Sequence, residues 1–275
     1  MTRYCYVISI TIFSVLSAIL SGCTTNAVTG RSQIKLFSDA EVQTMAAAQY
    51  QQFLTANKVV GVTVNRDAAM VQRVGGRLTA AITAYYTSLG KANVLDGYHW
   101  EYNLVDSKEV NAWCMPGGKI VVYTGLLSFT GNEAALAVVM GHEITHALAN
   151  HGNERLSMGL AQQLGGVALS VAVSSQPAET QSAFMNAYGI GSQLGVMLPF
   201  SRKDEYEADK FGLNYAAMAG YNPQEAIPLW ERMEKAAGAG KTPEFLSTHP
   251  SEDNRIVRLK AQMPAALALY KSQNR

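Results

Sequence analysis

The chain has 275 residues, a formal net charge of +1 and 48% hydrophobic residues. That length fits one large domain, or a domain with extensions. The near-zero charge excludes a strong field steering the chain toward nucleic acid, and the apolar content excludes a disordered chain.

Residues 1–22 have the layout of a secretory signal: Arg3, an apolar run to Leu20, then small residues. An uncleaved membrane anchor is the alternative, though the run is short for a spanning helix. "LSGC" at 20–23 is similar to a bacterial lipobox, which implies cleavage before Cys23 and lipid on that cysteine. Thr24 follows where an aspartate would retain the protein, so the same resemblance implies the outer membrane, facing the periplasm. Several acyl chains anchor stably, whereas one binds only reversibly. With Cys5 removed and Cys23 lipidated, Cys114 alone remains, and no intramolecular disulfide is possible.

Residues 23–37 read as a polar, irregular tether and 38–275 as the folded domain. "SDAE" at 38–41 is a capping-box signal for a helix running to about Asn57. Met70, Val71, Val74, Leu78 and Ile82 recur at helical spacing, which predicts a second helix over 67–89. "YHWEYNLVD" (98–106) alternates as a strand does, and "KIVVYTG" (119–125) predicts another. Between them, Pro116 and Gly117 suit the two central positions of a type II turn. Thr130 and Glu133 have capping-box spacing before a long apolar helix. Two apolar stretches within 156–200 are interrupted by Gln162, Gln163, Asn186 and Gln193, and predict a helical hairpin packed on the domain rather than inserted in a membrane.

The apolar helix holds "VVMGHEITHALANHG" (138–152). Burying unpaired polar groups in such a segment is costly, so His142, Glu143 and His146 need partners. Residues four apart share a helix face, so His142 and His146 can reach one zinc ion while Glu143 acts as base on a water. His151 lies nine positions from His142, about half a turn around a continuous helix, and reads as a solvent-side or helix-end histidine. A third ligand must come from elsewhere. In "SRKDEYEADKFG" (201–212), Glu205 and Asp209 share a face that Gly212 and Ala216 continue with small side chains, permitting close approach. Glu207 points nearly the opposite way and Asp204 lies off that face. Glu205 is therefore assigned to the metal, and Asp209 to orienting a ligand histidine. Cys114 reads as a small buried thiol.

"GHEITHALANH" followed by "SRKDEYEADKFG" resembles the zinc metallopeptidase family of HtpX, BepA, LoiP and the CAAX prenyl proteases. "NAWCMPGGKIVVYTGLL" (111–127) is similar to that family's substrate-strand segment, and "STHPSEDNR" (247–255) to its His-Pro motif. The resemblance covers about residues 38–262. It implies an α+β, mostly α fold: a zincin-like metallopeptidase domain with a small β-sheet packed beside the active-site helix. Carried over, His142, His146 and Glu205 hold one zinc and Glu143 is the catalytic base. A peptide pairs with the strand starting at Asn111 and Ala112. His249 lies near the metal and either occupies its open position as a restraint or, like Arg255, stabilises the oxyanion; otherwise it simply precedes Ser251, a helix N-cap. The chain ends soon after the His-Pro motif, without the helical repeats of BepA-like proteins, so compact lipoproteins such as LoiP match better. The expected function is envelope proteolysis of unfolded or misassembled proteins, with no nucleic-acid partner. The alternative is a chaperone-like assembly factor with a restrained zinc site.

Overall fold

The computed structural model describes residues 23–159, 201–240, 242–249 and 254–273. The expected signal (1–22), most of the expected helical hairpin (160–200) and the expected cap Ser251 lie outside them. Among the described residues no helix is long and apolar enough to cross a membrane.

The chain divides into two compact units. In the smaller, β1 (Cys23–Thr25) and β2 (Ser32–Ile34) pair antiparallel. Residues 23–34 are thus a hairpin where the composition suggested irregular chain. Its loop is held by the Asn26 side chain, which accepts from the backbone of Val28 (2.8 Å) and Thr29 (3.0 Å). Arg31 donates two 2.7 Å bonds to Glu154, on a helical stretch at 151–159, and Leu36 N–H donates to Ser157 Oγ at 2.9 Å.

The larger unit contains the predicted motifs. Helix α1 (Asp39–Ala56) is followed by α2 (Arg66–Ser88), whose N-cap Asn65 accepts from Asp67 N and Ala68 N. Strands β3 (Glu101–Val105), β4 (Ala112–Met115) and β5 (Lys119–Tyr123) form a sheet in the order β3-β5-β4. β5 runs parallel to β3 and antiparallel to β4. The turn between β4 and β5 is the expected one: Gly118 N–H bonds Met115 O at 3.2 Å, and Gly117 has φ +81°, which glycine adopts without strain. The outer side of β3 is partly covered by residues 58–60, whereas among the described residues no strand pairs with the outer side of β4. Tyr50 and Phe53 of α1 meet Trp113 of β4 edge-on and anchor the sheet.

Helices α3 (Thr124–Thr130) and α4 (Glu133–Leu148) follow. The expected Thr130–Glu133 capping box does not form. Gly131 takes the left-handed conformation (φ +69°) and ends α3, so Thr130 belongs to the preceding helix. Asn132 is the actual cap of α4, accepting from Ala135 N at 2.8 Å, and Glu133 pairs with Arg73 of α2. Every residue of α4 from Ala135 to Leu148 is buried. Helices α5 (Arg202–Met218), α6 (Ala226–Gly238), α7 (Glu244–Thr248) and α8 (Arg255–Gln273) complete this unit. The mostly helical fold with a small sheet against α4 is the expected one.

Candidate metal centre

The two motif helices cross backbone to backbone. A Cβ on Gly212 of α5 would lie 2.6 Å from His142 N, and one on Gly141 of α4 would lie 2.7 Å from Gly212 O. This close approach, anticipated for Gly212, brings Glu205 and Asp209 to the histidines of α4. At an exposed helix site, Gly→Ala gains about 1 kcal/mol of helix propensity. Here rigid backbone stands in the way, so Gly212→Ala is expected to lose about 2–3 kcal/mol net through overpacking. The urea midpoint of the variant against wild type measures it; an unchanged or raised midpoint would contradict the crossing.

Ser201 starts α5 with a capping box: its Oγ accepts from Asp204 N and its own N–H donates to Asp204. Glu205, in that capped first turn, reaches His142 and His146. His142 Nε2 lies 3.1 Å from His146 Nε2 and 3.4 Å from Glu205 Oε2, and His146 Nε2 lies 3.3 Å from Glu205 Oε1. His249 joins them, with Nδ1 3.3 Å from His142 Nε2 and 2.9 Å from Glu205 Oε1. All four side chains are buried. A tetrahedral zinc site with bonds of about 2.0–2.1 Å has ligand-to-ligand edges of about 3.3–3.4 Å. With Glu205 Oε1 as the carboxylate donor, four of the six edges lie between 2.9 and 3.3 Å, and three imidazoles with one carboxylate are a donor set that fits a metal ion.

Further side chains back these donors. His142 Nδ1 is 3.0 Å from Asp209 Oδ1, the expected arrangement. Arg255 donates through Nη2 to Asp209 Oδ1 (2.6 Å) and Glu205 Oε2 (3.3 Å), and its guanidinium lies 3.4 Å from the centroid of the Trp230 ring. It is 1% exposed and bound to the carboxylates, not turned toward a cleft as an oxyanion donor would be. Burial alone would raise the Asp209 carboxyl, but Arg255 and His142 hold it below the usual carboxylate range. Glu205 is likewise held well down against its burial by His142, His146 and His249. His142 is raised to about 9: burial pulls it down, and the charges of Glu205 and Asp209 outweigh that. Burial takes His146 well below its usual value despite Glu205, leaving a neutral imidazole.

Glu143 is buried beside this group, its Oε1 3.5 Å from His249 Nε2 and, among the described residues, without a hydrogen-bond partner. Burial raises its carboxyl, with His249 and His142 opposing. Cys114 of β4 is half-buried; burial and then the charge of Glu143 push its thiol well up. Asn111 precedes β4, its Oδ1 2.9 Å from Ala112 N, and the two residues begin the edge of the sheet with which no described strand pairs.

His151 lies just past the end of α4, as one of its two expected placements had it, but it does not face solvent. Fully buried, its Nδ1 lies 2.9 Å from His146 Nδ1 and its Nε2 2.9 Å from Glu207 Oε2. The helix is not continuous through it: α4 ends at Leu148 and Asn150 is left-handed (φ +56°). The turn swings His151 back against His146, so half-turn counting does not apply. Asn150 was the available signal, because asparagine tolerates that conformation better than most residues. Glu207 does leave the Glu205 face, but toward His151 instead of solvent.

Buried histidines at i and i+4, a carboxylate from a second helix and a free-standing glutamate beside them define an HExxH-type metallopeptidase site. A family model described as Peptidase family M48 matches residues 65–263, and the chain belongs to that family. It is 40% identical to the mitochondrial metalloendopeptidase OMA1 of Arabidopsis thaliana over 180 residues, 64% of this chain and 35% of that protein. OMA1 of Bos taurus is 31% identical over 258 residues, 90% of this chain and 47% of that protein. The Beta-barrel assembly-enhancing protease of Yersinia pestis is 30% identical over 186 residues, 64% of this chain and 37% of its own. The chain thus spans about half or less of these curated relatives.

Proposed function

We propose that this protein is a zinc-dependent endopeptidase of the bacterial cell envelope. The observation that carries the reading is the four-donor group with Glu143 beside it, its Oε1 without a hydrogen bond among the described residues. His142, His146 and Glu205 are the zinc ligands, and Asp209 and Arg255 hold them in place. Bound zinc would polarise the scissile carbonyl and acidify a water. Glu143 takes the proton of the attacking water and returns it to the leaving amine. An extended peptide adds to the open edge of β4 from Asn111 and Ala112, its backbone completing the sheet.

Among relatives named as mitochondrial and relatives named for β-barrel assembly, the lipobox-like "LSGC" favours the bacterial envelope, with lipid on Cys23 and the outer membrane as the surface. The substrates are then unfolded or misassembled envelope proteins. Labelling cells with a radioactive fatty acid is expected to mark the wild-type chain and not Cys23→Ser.

The position of His249 supports a restraint. It takes the fourth corner of the donor set, where a working site needs room for water and substrate. The test uses residues 23–275 with Cys23→Ser: zinc per chain, and cleavage of unfolded casein with and without a chelator. Chelator-sensitive cleavage, restored by zinc, supports the peptidase. His249→Ala is expected to bind zinc and to cleave faster than wild type; slower cleavage would make His249 an assisting group. If both bind zinc and neither cleaves, the chaperone-like assembly factor is the better reading. If wild type holds no zinc, the ligand assignment fails.

A further inference from the structure

We propose that His151 and Glu207 are positioning residues for His146, forming an imidazole–imidazole–carboxylate chain, its two rings buried and its carboxylate partly so, that fixes the His146 tautomer and strengthens its hold on the metal. The inference rests on His146 being a zinc ligand through Nε2, the atom facing His142 and Glu205. A ligating Nε2 must present a lone pair, so the ring proton of His146 sits on Nδ1. That Nδ1 is 2.9 Å from His151 Nδ1. Two imidazole nitrogens at this distance share one proton, so His151 accepts at Nδ1 and carries its own proton on Nε2. That proton is donated to Glu207 Oε2 at 2.9 Å, with Asp204 Oδ1 3.6 Å away.

The arrangement parallels the His142 side. There a carboxylate meets the ligand histidine directly, through Asp209. On the His146 side the carboxylate acts through a second imidazole, because the turn at Asn150 places His151 between them. Both ligands are then backed by negative charge, which raises imidazole basicity and fixes ring orientation. An inert core histidine would satisfy itself on backbone or water. This one connects a ligand's back nitrogen to a carboxylate.

His151, Asp204 and Glu207 also lie close enough to one another to suggest a second metal site. The tautomer argues against it: with Nδ1 accepting and Nε2 donating, His151 has no lone pair left for a metal. Among the described residues, that leaves one zinc site.

The test measures zinc Kd by competition with a chromophoric chelator, and the visible spectrum of the cobalt-substituted protein, for residues 23–275 with Cys23→Ser. His151→Phe keeps ring volume without an acceptor and is expected to raise Kd about 10–100-fold. His151→Asn, whose Oδ1 can accept from His146 Nδ1, should recover part of that loss. Glu207→Gln keeps an acceptor oxygen and removes the charge; it should weaken zinc less than His151→Phe and shift the cobalt bands, with an unchanged thermal midpoint in the metal-free state. If His151→Phe does not fold, Glu207→Gln decides. Unaltered Kd and cobalt spectrum in Glu207→Gln overturn the proposal, as does a second zinc equivalent lost in that variant. A wild type without zinc removes the ligand reading and this inference with it, and is distinguishable because the parent titration fails first.

Discussion

Glu143→Gln is expected to keep its zinc and to lose peptide hydrolysis by about 10²–10⁴-fold, the usual worth of a positioned general base. Glu143 is buried at the metal centre but is not among the four converging donors, so metal affinity does not depend on it. Among the described residues its Oε1 has no hydrogen-bond partner, and burial raises its carboxyl, the direction that helps a carboxylate hold a proton during turnover. Glutamine has the same shape and cannot take the proton. Removing a buried, partly unpaired carboxylate should not lower stability. Zinc per chain and casein cleavage, measured on the same preparation, check both halves. Cleavage within tenfold of wild type would remove Glu143 as the base, and lost zinc would make it a ligand.

Arg255→Met should carry the largest cost in stability. The guanidinium sits between Asp209 and Glu205, both buried, and stacks on Trp230. Methionine fills much of the volume but leaves two carboxylates without the guanidinium, with His142 as the nearest remaining cation in metal-free protein. Removing one partner of a buried ion pair costs about 3–5 kcal/mol. For a domain of this size, that is a fall in Tm on the order of 10 °C. The deficit should be greatest in metal-free protein, because bound zinc neutralises the Glu205 side. Thermal melts with and without chelator therefore separate the two contributions. A variant that melts with wild type in chelator would mean that His142 already neutralises the two carboxylates.

Much of the centre was legible because helix geometry alone carries it. Spacing of four puts His142 and His146 on one face, and the same spacing puts Glu205 and Asp209 on another. Gly212 announced a close approach, since a residue without Cβ on a ligand-bearing face has little other use. The turn at Pro116 and Gly117 was equally local: one residue with fixed φ, one free to take positive φ.

The misreadings came from treating a run of helical residues as one rigid rod. Thr130 and Glu133 have the right spacing for a cap, yet Gly131 breaks the helix between them. His151 was counted around a helix that Asn150 ends. In both places one left-handed residue redirects the chain, and no periodicity argument survives it. Other features depend on segments far apart in sequence. Arg255 lies 46 residues from Asp209, and whether it faces substrate or backs the ligands is set by how α8 packs on α5. His249 reaches the fourth corner only because α7 ends against α4 and α5. β4 is the sheet's open edge because β5 enters beside β3. Composition and spacing thus specify which side chains share a helix face, since that depends on local backbone geometry. Which faces meet, and which nitrogen of which histidine finds a partner, is set by packing between distant segments.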